Sequence, residues 1–242
     1  MLTEAQLAKR GEFVGASEVA AIIGLDPYRT ALDVYAQKIG LTLPTLANKF
    51  MRWGNRLEAV VADAYAEETG REIVADQVTR LHPSYPFIGC TPDYRAGDRL
   101  LEIKTGDART AERWGEPGTD AVPEHVACQV VQQMAVCDVD LCDVAVLLGG
   151  NDLRVYTIHR DRLLENAIVE KAVRFWRECV LTKTPPEVDD SDARQRFVAQ
   201  LFPRSVNDVI RTATSEEAGL IRDLAAAKVN LADAEGALDG LE

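Results

Sequence analysis

The sequence predicts an α/β fold: a central mixed β-sheet flanked by helices, with a C-terminal helical extension. Three observations lead there. Apolar residues at helical spacing and apolar runs of strand character alternate along residues 17 to 181, which is the pattern of helices packed on a sheet. A chain of 242 residues that is 47% hydrophobic can bury a substantial core. Past residue 187 the pattern changes to an acidic stretch and then to heptad spacing.

In chain order, "SEVAAIIG" (17–24) reads as a short helix with Ser17 as N-cap and Gly24 as terminator, and the turn "DPYRT" follows. "TALDVYAQKIG" is a second helix. In "NRLEAVVADAYAEETG", Leu57, Val60, Val61, Ala64 and Tyr65 fall on one helical stripe, ended by Gly70. Strands are expected over "REIVADQVTRL", "FIGCTPDYRA" and "RLLEIKTG", the last two joined by a turn at Gly97–Asp98. "PEHVACQVVQQMAVC" is a helix opened by Pro123. Two more strands, "DVAVLLGG" and "LRVYTIH", flank a turn at 149–152, and "RDRLLENAIVEKAVRFWRECVL" is a long helix.

"TKTPPEVDDSDA" reads as a boundary, giving a main domain over 1–186 and a linker with a helical extension over 187–242. In that extension Leu220, Leu224, Ala227, Leu231, Ala234, Leu238 and Leu241 form a heptad seam. It is either a helix packed on its own domain or an oligomer contact.

Composition excludes several classes. No apolar run approaches the roughly 20 residues of a membrane span, and the opening "MLTEAQLAKRGEF" lacks a secretory signal's apolar centre. A cytoplasmic protein with no membrane partner is expected. The five cysteines include no C-x-x-C pair and read as free buried thiols, and His125 with Cys128 is too small a set for zinc. The formal charge of −12 argues against strong non-specific DNA affinity, while leaving room for divalent cations or a narrow basic groove.

"TPDYRAGDRLLEIKTG" (91–106) carries the chemistry. Alternation in a strand sets Glu102 and Lys104 on one surface and Leu101 and Ile103 on the other, in the core. Asp93 lies nine residues before Glu102, across the turn at Gly97, so a hairpin brings the two carboxylates together. Paired carboxylates repel unless a cation sits between them, and oxygen donors suit Mg²⁺ or Mn²⁺. A lysine alongside can orient water and stabilise negative charge at phosphorus. The plain alternative for the acid-x-Lys triplet is a cross-strand salt bridge.

Pro92, Asp93, Glu102, Ile103 and Lys104 resemble the motif of the PD-(D/E)XK nuclease superfamily, and hence its restriction-endonuclease-like core. With "GASEVAAIIGLDPYRT", "RWGNRLEAVVADAYAEETG" and "PEHVACQVVQQMAVC" before "DVAVLLGG", the chain resembles the YqaJ viral recombinase family, which includes the lambda-type exonucleases, from about residue 10 to about 180. The resemblance implies that Asp93, Glu102 and Glu58, with the carbonyl of Ile103, hold one or two Mg²⁺ (or Mn²⁺) ions. It implies that Lys104 activates the attacking water and that Gln129 lies near it. Arg10 and Ser17, seven residues apart, match a 5′-phosphate pocket, with Arg29 as a looser third member.

The implied activity is 5′-to-3′ exonuclease action on double-stranded DNA ends in phage-type recombination, inside a bacterial host cell. The implied partners are a single-strand annealing protein and further copies of the chain in a trimer. A nickase or endonuclease of the same superfamily, an inactive DNA-end-binding module, and a structural protein acting through its heptads are the competing readings.

Overall fold

A computed structural model of the chain describes residues 10–41 and 49–187, and in the C-terminal region residues 212, 214–220, 222–223 and 226. The chain divides into two compact units, Met1–Leu201 and Phe202–Glu242. The first has the predicted α/β architecture, with mixed sheets flanked by helices.

After a 3-10 turn at Arg10–Glu12, its strands and α-helices run, in order, β1 (Val14–Gly15), α1 (Ala16–Ile22), α2 (Ala31–Lys38) and α3 (Lys49–Thr69). Five strands follow: β2 (Val74–Ala75), β3 (Arg80–His82), β4 (Tyr85–Cys90), β5 (Tyr94–Ala96) and β6 (Arg99–Gly106). Helix α4 (Glu124–Cys137), β7 (Leu141–Leu148), β8 (Asp152–His159) and α5 (Arg162–Phe175) come next.

Among the described residues the strands form two sheets rather than one central sheet, ordered β1-β4-β3 and β2-β5-β6-β7-β8. The reason lies at residues 91 to 93. The expected strand "FIGCTPDYRA" breaks there, because Pro92 has no N–H to give a ladder and the Asp93 side chain turns to a neighbouring backbone instead. β4 therefore pairs with β1 in parallel, while β5 hairpins onto β6 through Gly97, whose φ of 65° suits glycine.

The expected strand over 71–81 is likewise reduced to β2 and β3. Asp76 between them is buried, its carboxylate taking Arg80 at 2.7 Å and Arg95 at 2.8 Å, and its N–H donates to the Asp93 carbonyl at 2.9 Å. A buried carboxylate bound to two arginines holds the chain out of a regular ladder.

The expected helix over 160–181 starts later and changes pitch. Asp161 caps it through Leu163 and Leu164 N–H groups, and its last turn, Trp176–Val180, widens to π geometry. Ser17 is not the N-cap of α1. Gly15 holds that position, its N–H donating to the Glu18 carboxylate at 2.7 Å.

Both faces of β6 are covered. Leu100 belongs to the larger core, which α1, α2, α4 and α5 share with β7 and β8. Leu101 and Ile103 belong to a smaller core under α3, with Val61, Tyr65 and Ala145. Parallel pairing of β6 with β7 places β6 inside the sheet, where a strand is buried on two sides.

In the second unit residues 215–220 are helical, and Thr214 and Glu217 form a capping box at the start. Leu220 is exposed. The other heptad positions, Leu224, Ala227, Leu231, Ala234, Leu238 and Leu241, lie outside the described residues. Among the described residues no helix is long and apolar enough to cross a membrane.

Candidate active site

The β5–β6 hairpin and α4 build the site. Tyr94 pairs with Leu101, and Asp93 stands one residue beyond, so the same register sets it across from Glu102. The Asp93 carboxylate accepts from the Ile103 N–H at 2.9 Å. Glu102 and Lys104 do share a face of β6, yet that face is not an open surface. It lies under α4, and Glu102 is only 3% exposed.

Donors surround the Glu102 carboxylate. Oε1 accepts from Lys104 Nζ at 2.5 Å and from Gln129 Nε2 at 2.6 Å, while Oε2 accepts from Gln133 Nε2 at 2.7 Å. Lys104 also donates to Gln129 Oε1 at 2.9 Å. Gln129 and Gln133 are four residues apart and so project from one face of α4 onto β6. Gln133 is a site residue that no motif marks; its i+4 spacing from Gln129 is the signal that identifies it.

Two carboxylates and one ammonium in a covered site leave excess negative charge. Burial, and then the charge of Glu102, push the Asp93 carboxyl well above its ordinary range, against the opposing pull of Lys104. Burial works against the Lys104 charge, but Glu102 and Asp93 outweigh it and hold the ammonium above its usual range. An added divalent cation would relieve this imbalance, and the all-oxygen donor chemistry of Asp93 and Glu102 fits Mg²⁺ or Mn²⁺.

Glu58 stands on α3, near enough to raise Asp93 further, and accepts from Gln77 Nε2 at 2.8 Å. Among the described residues no three Asp, Glu, His or Cys side chains are gathered as a ready metal cluster. The fit therefore rests on the Asp93–Glu102 pair, with Glu58 at longer range.

A second cluster forms around the start of α1. Arg10 donates to Ser17 Oγ at 3.5 Å, and Arg29 donates to the Ser17 carbonyl and, at 3.3 Å, to Asp26. Arg10, Ser17 and Arg29 are thus brought together. His125, in the first turn of α4, connects this region with the first site: it packs edge-on against Tyr28, and Asp26 and Lys104 both act on its charge.

The exposed start of α3 forms a further surface. Lys49, Arg52, Trp53 and Arg56 line a surface depression, with the Arg56 guanidinium over the Trp53 ring at 5.4 Å. This basic, aromatic face adjoins the end of β6, because a side chain at Gly54 would meet the Thr105 hydroxyl at 3.4 Å. Its signal is the interleaving of cations and rings in "KFMRWGNR".

The model of the YqaJ-like viral recombinase domain matches residues 6–140. The Bacillus subtilis (strain 168) protein YqaJ is 26% identical over 207 residues, which cover 84% of this chain; the chain spans 64% of that relative's length. The solved alkaline exonuclease LHK-Exo from Laribacter hongkongensis superposes with a TM-score of 0.61 at 23% identity, over 82% of this chain and 100% of that one. A phage related exonuclease from Haemophilus somnus 129PT gives a TM-score of 0.55 at 15% identity, over 71% and 96%. At these identities the structural likeness is one of fold.

Proposed function

The chain belongs to the YqaJ-like viral recombinase family, and on that basis we propose that it is a metal-dependent deoxyribonuclease acting on double-stranded DNA ends in the 5′-to-3′ direction. The observation that carries the reading is the convergence of Asp93, Glu102, Lys104 and Gln129 on one covered face of β6. The exonuclease names of its structural neighbours support the same reading.

Asp93 and Glu102, with Glu58 and the Ile103 carbonyl, would hold one or two Mg²⁺ or Mn²⁺ ions, which neutralise phosphate charge and acidify water at such sites. The chain's own groups do the rest. The Lys104 ammonium, tied to Glu102 and Gln129, is pre-oriented to position the attacking water and to stabilise negative charge growing on the phosphoryl oxygens. Gln129 and Gln133 fix the Glu102 carboxylate, so little reorganisation is needed as charge develops.

Arg10, Ser17 and Arg29 supply donors for a terminal 5′-phosphate. Lys49, Arg52 and Arg56 offer backbone contacts, and Trp53 offers a stacking surface, on a protein whose overall net charge is −12. A phage-type recombination role, with a single-strand annealing protein as partner and a trimeric assembly, completes the proposal.

An inactive DNA-end-binding module is the second reading. It is favoured by a Glu102 carboxylate already engaged by three side chains and by the lack of a ready three-acid cluster among the described residues. The test incubates 5′-phosphorylated linear duplex and closed circles with wild type and Lys104→Ala, with Mg²⁺ or with chelator. Mononucleotides released from linear DNA by the wild type alone, only with metal, support the exonuclease. Cut circles point to an endonuclease, and retained but uncut ends to the binding module.

A further inference from the structure

Outside the site just described, two thiols meet. Cys90, the last residue of β4, and Cys137, the last residue of α4, have their sulfurs 3.6 Å apart, though 47 residues separate them in sequence. None of the five cysteines is in a disulfide. Cys90 is buried, whereas Cys137 is only partly covered. Arg80 pairs with Cys90 across the β3–β4 ladder, and its guanidinium, fixed by Asp76, acts on the charge of both sulfurs.

We propose that Cys90 and Cys137 form a redox-active dithiol that takes up a low-molecular-weight disulfide of the glutathione class and closes to an intramolecular bond. The sulfur of Cys137, the less buried residue of the two, attacks as thiolate one sulfur of the small disulfide, whose S–S bond breaks and whose other half leaves as a thiolate. Cys90 then loses its proton and attacks the Cys137 sulfur, and the second small thiol departs. Two protein thiols and one small disulfide become one protein disulfide and two small thiols, so two electrons pass from the protein to the reagent.

The geometry assigns the roles. The partly covered sulfur meets the reagent, and the buried one, already in contact with it, resolves the mixed disulfide. Contact between the two thiols, and the arginine near them, favour the Cys137 thiolate. Neither Cys128 nor Cys142, both buried, shares such a sulfur contact among the described residues, and Cys179 is partly covered without one.

The bond would tie two segments that frame the carboxylates. Cys90 is three residues before Asp93, and Cys137 is four after Gln133, whose amide holds Glu102. Closing a loop of this length restricts the unfolded chain more than the folded one. The inference stands apart from the proposed nuclease activity, and its test reads no hydrolysis.

The 242-residue chain is treated with oxidised glutathione, and thiol titration, peptide mass mapping and thermal unfolding follow. Five titratable thiols should become three, a Cys90–Cys137 linked peptide should appear 2 Da lighter than its reduced parts, and the midpoint should rise by several degrees. Cys90→Ser should instead stop at a stable glutathione adduct on Cys137, and Cys137→Ser should react at least tenfold more slowly. A wild-type adduct that persists unresolved, labelling confined to Cys179, or no loss of thiols overturns the proposal. The wild-type map decides this alone where a variant fails to fold.

Discussion

Asp93 accepts a hydrogen bond from the backbone N–H of Ile103 at 2.9 Å, so the acid on one arm of the hairpin is pinned to the peptide between Glu102 and Lys104 on the other. One backbone contact thereby fixes the spacing of three charged side chains. The geometry of the site is a property of strand register before it is a property of side chains.

The Asp93 carboxyl gives a pH test. Its folded-state pKa is raised by burial and by Glu102, so from about pH 3.9 upward the folded protein binds a proton that the unfolded chain releases. In chelator, wild-type stability should therefore fall as pH climbs through that window. Asp93→Asn should flatten this slope and be as stable as wild type, or more so, at neutral pH. Urea denaturation across pH 4 to 8 measures it, and an unchanged slope in the variant would refute the assignment.

Lys104→Ala leaves Glu102 buried with amide donors but no counter-charge. We expect a loss of about 2–4 kcal/mol in stability, below the full cost of breaking a closed pair because Lys104 is 27% exposed. Hydrolysis should drop by roughly a hundredfold or more, as for loss of a group that stabilises developing charge. Denaturation and end-digestion assays on the same preparation read both effects.

For Arg10→Ala the expected change is in end preference. Arginine binds phosphate with charge-assisted bonds, so wild type should prefer 5′-phosphorylated over 5′-hydroxyl duplex, and the variant should lose roughly tenfold of that preference. Competition between the two labelled duplexes would show it. Equal handling of both ends by wild type would remove the phosphate role from Arg10 and Ser17.

Gln132 donates to the carbonyls of Val14 and Gly89, at 3.0 Å each, and so bridges the parallel β1–β4 pair from α4. Gln132→Leu removes the shared donor from two interior carbonyls and should cost about 2–4 kcal/mol. A shift in the urea midpoint at constant m-value is the expected readout.

Tyr65→Phe tests the smaller core. The Tyr65 hydroxyl donates to the buried Asp143 carboxylate at 2.6 Å, which also takes Thr157 at 2.8 Å and Arg99 at 3.2 Å. Losing one of these donors should cost about 1–3 kcal/mol, seen as a lower thermal midpoint with an unchanged far-ultraviolet spectrum.

What the sequence by itself determined is local. The strand over 99–106, the hairpin at Gly97, the α4 segment after Pro123 and the shared face of Glu102 and Lys104 all follow from periodicity and turn chemistry within about a dozen residues. The tertiary structure decided what depends on distant partners. It sent β4 and β5 to different sheets, covered Glu102 with α4, turned Asp76 inward onto Arg80 and Arg95, and brought the Gln132 amide to carbonyls 118 and 43 residues away. A buried polar group must find its partner wherever the chain's packing puts one, and no short window of sequence contains that choice.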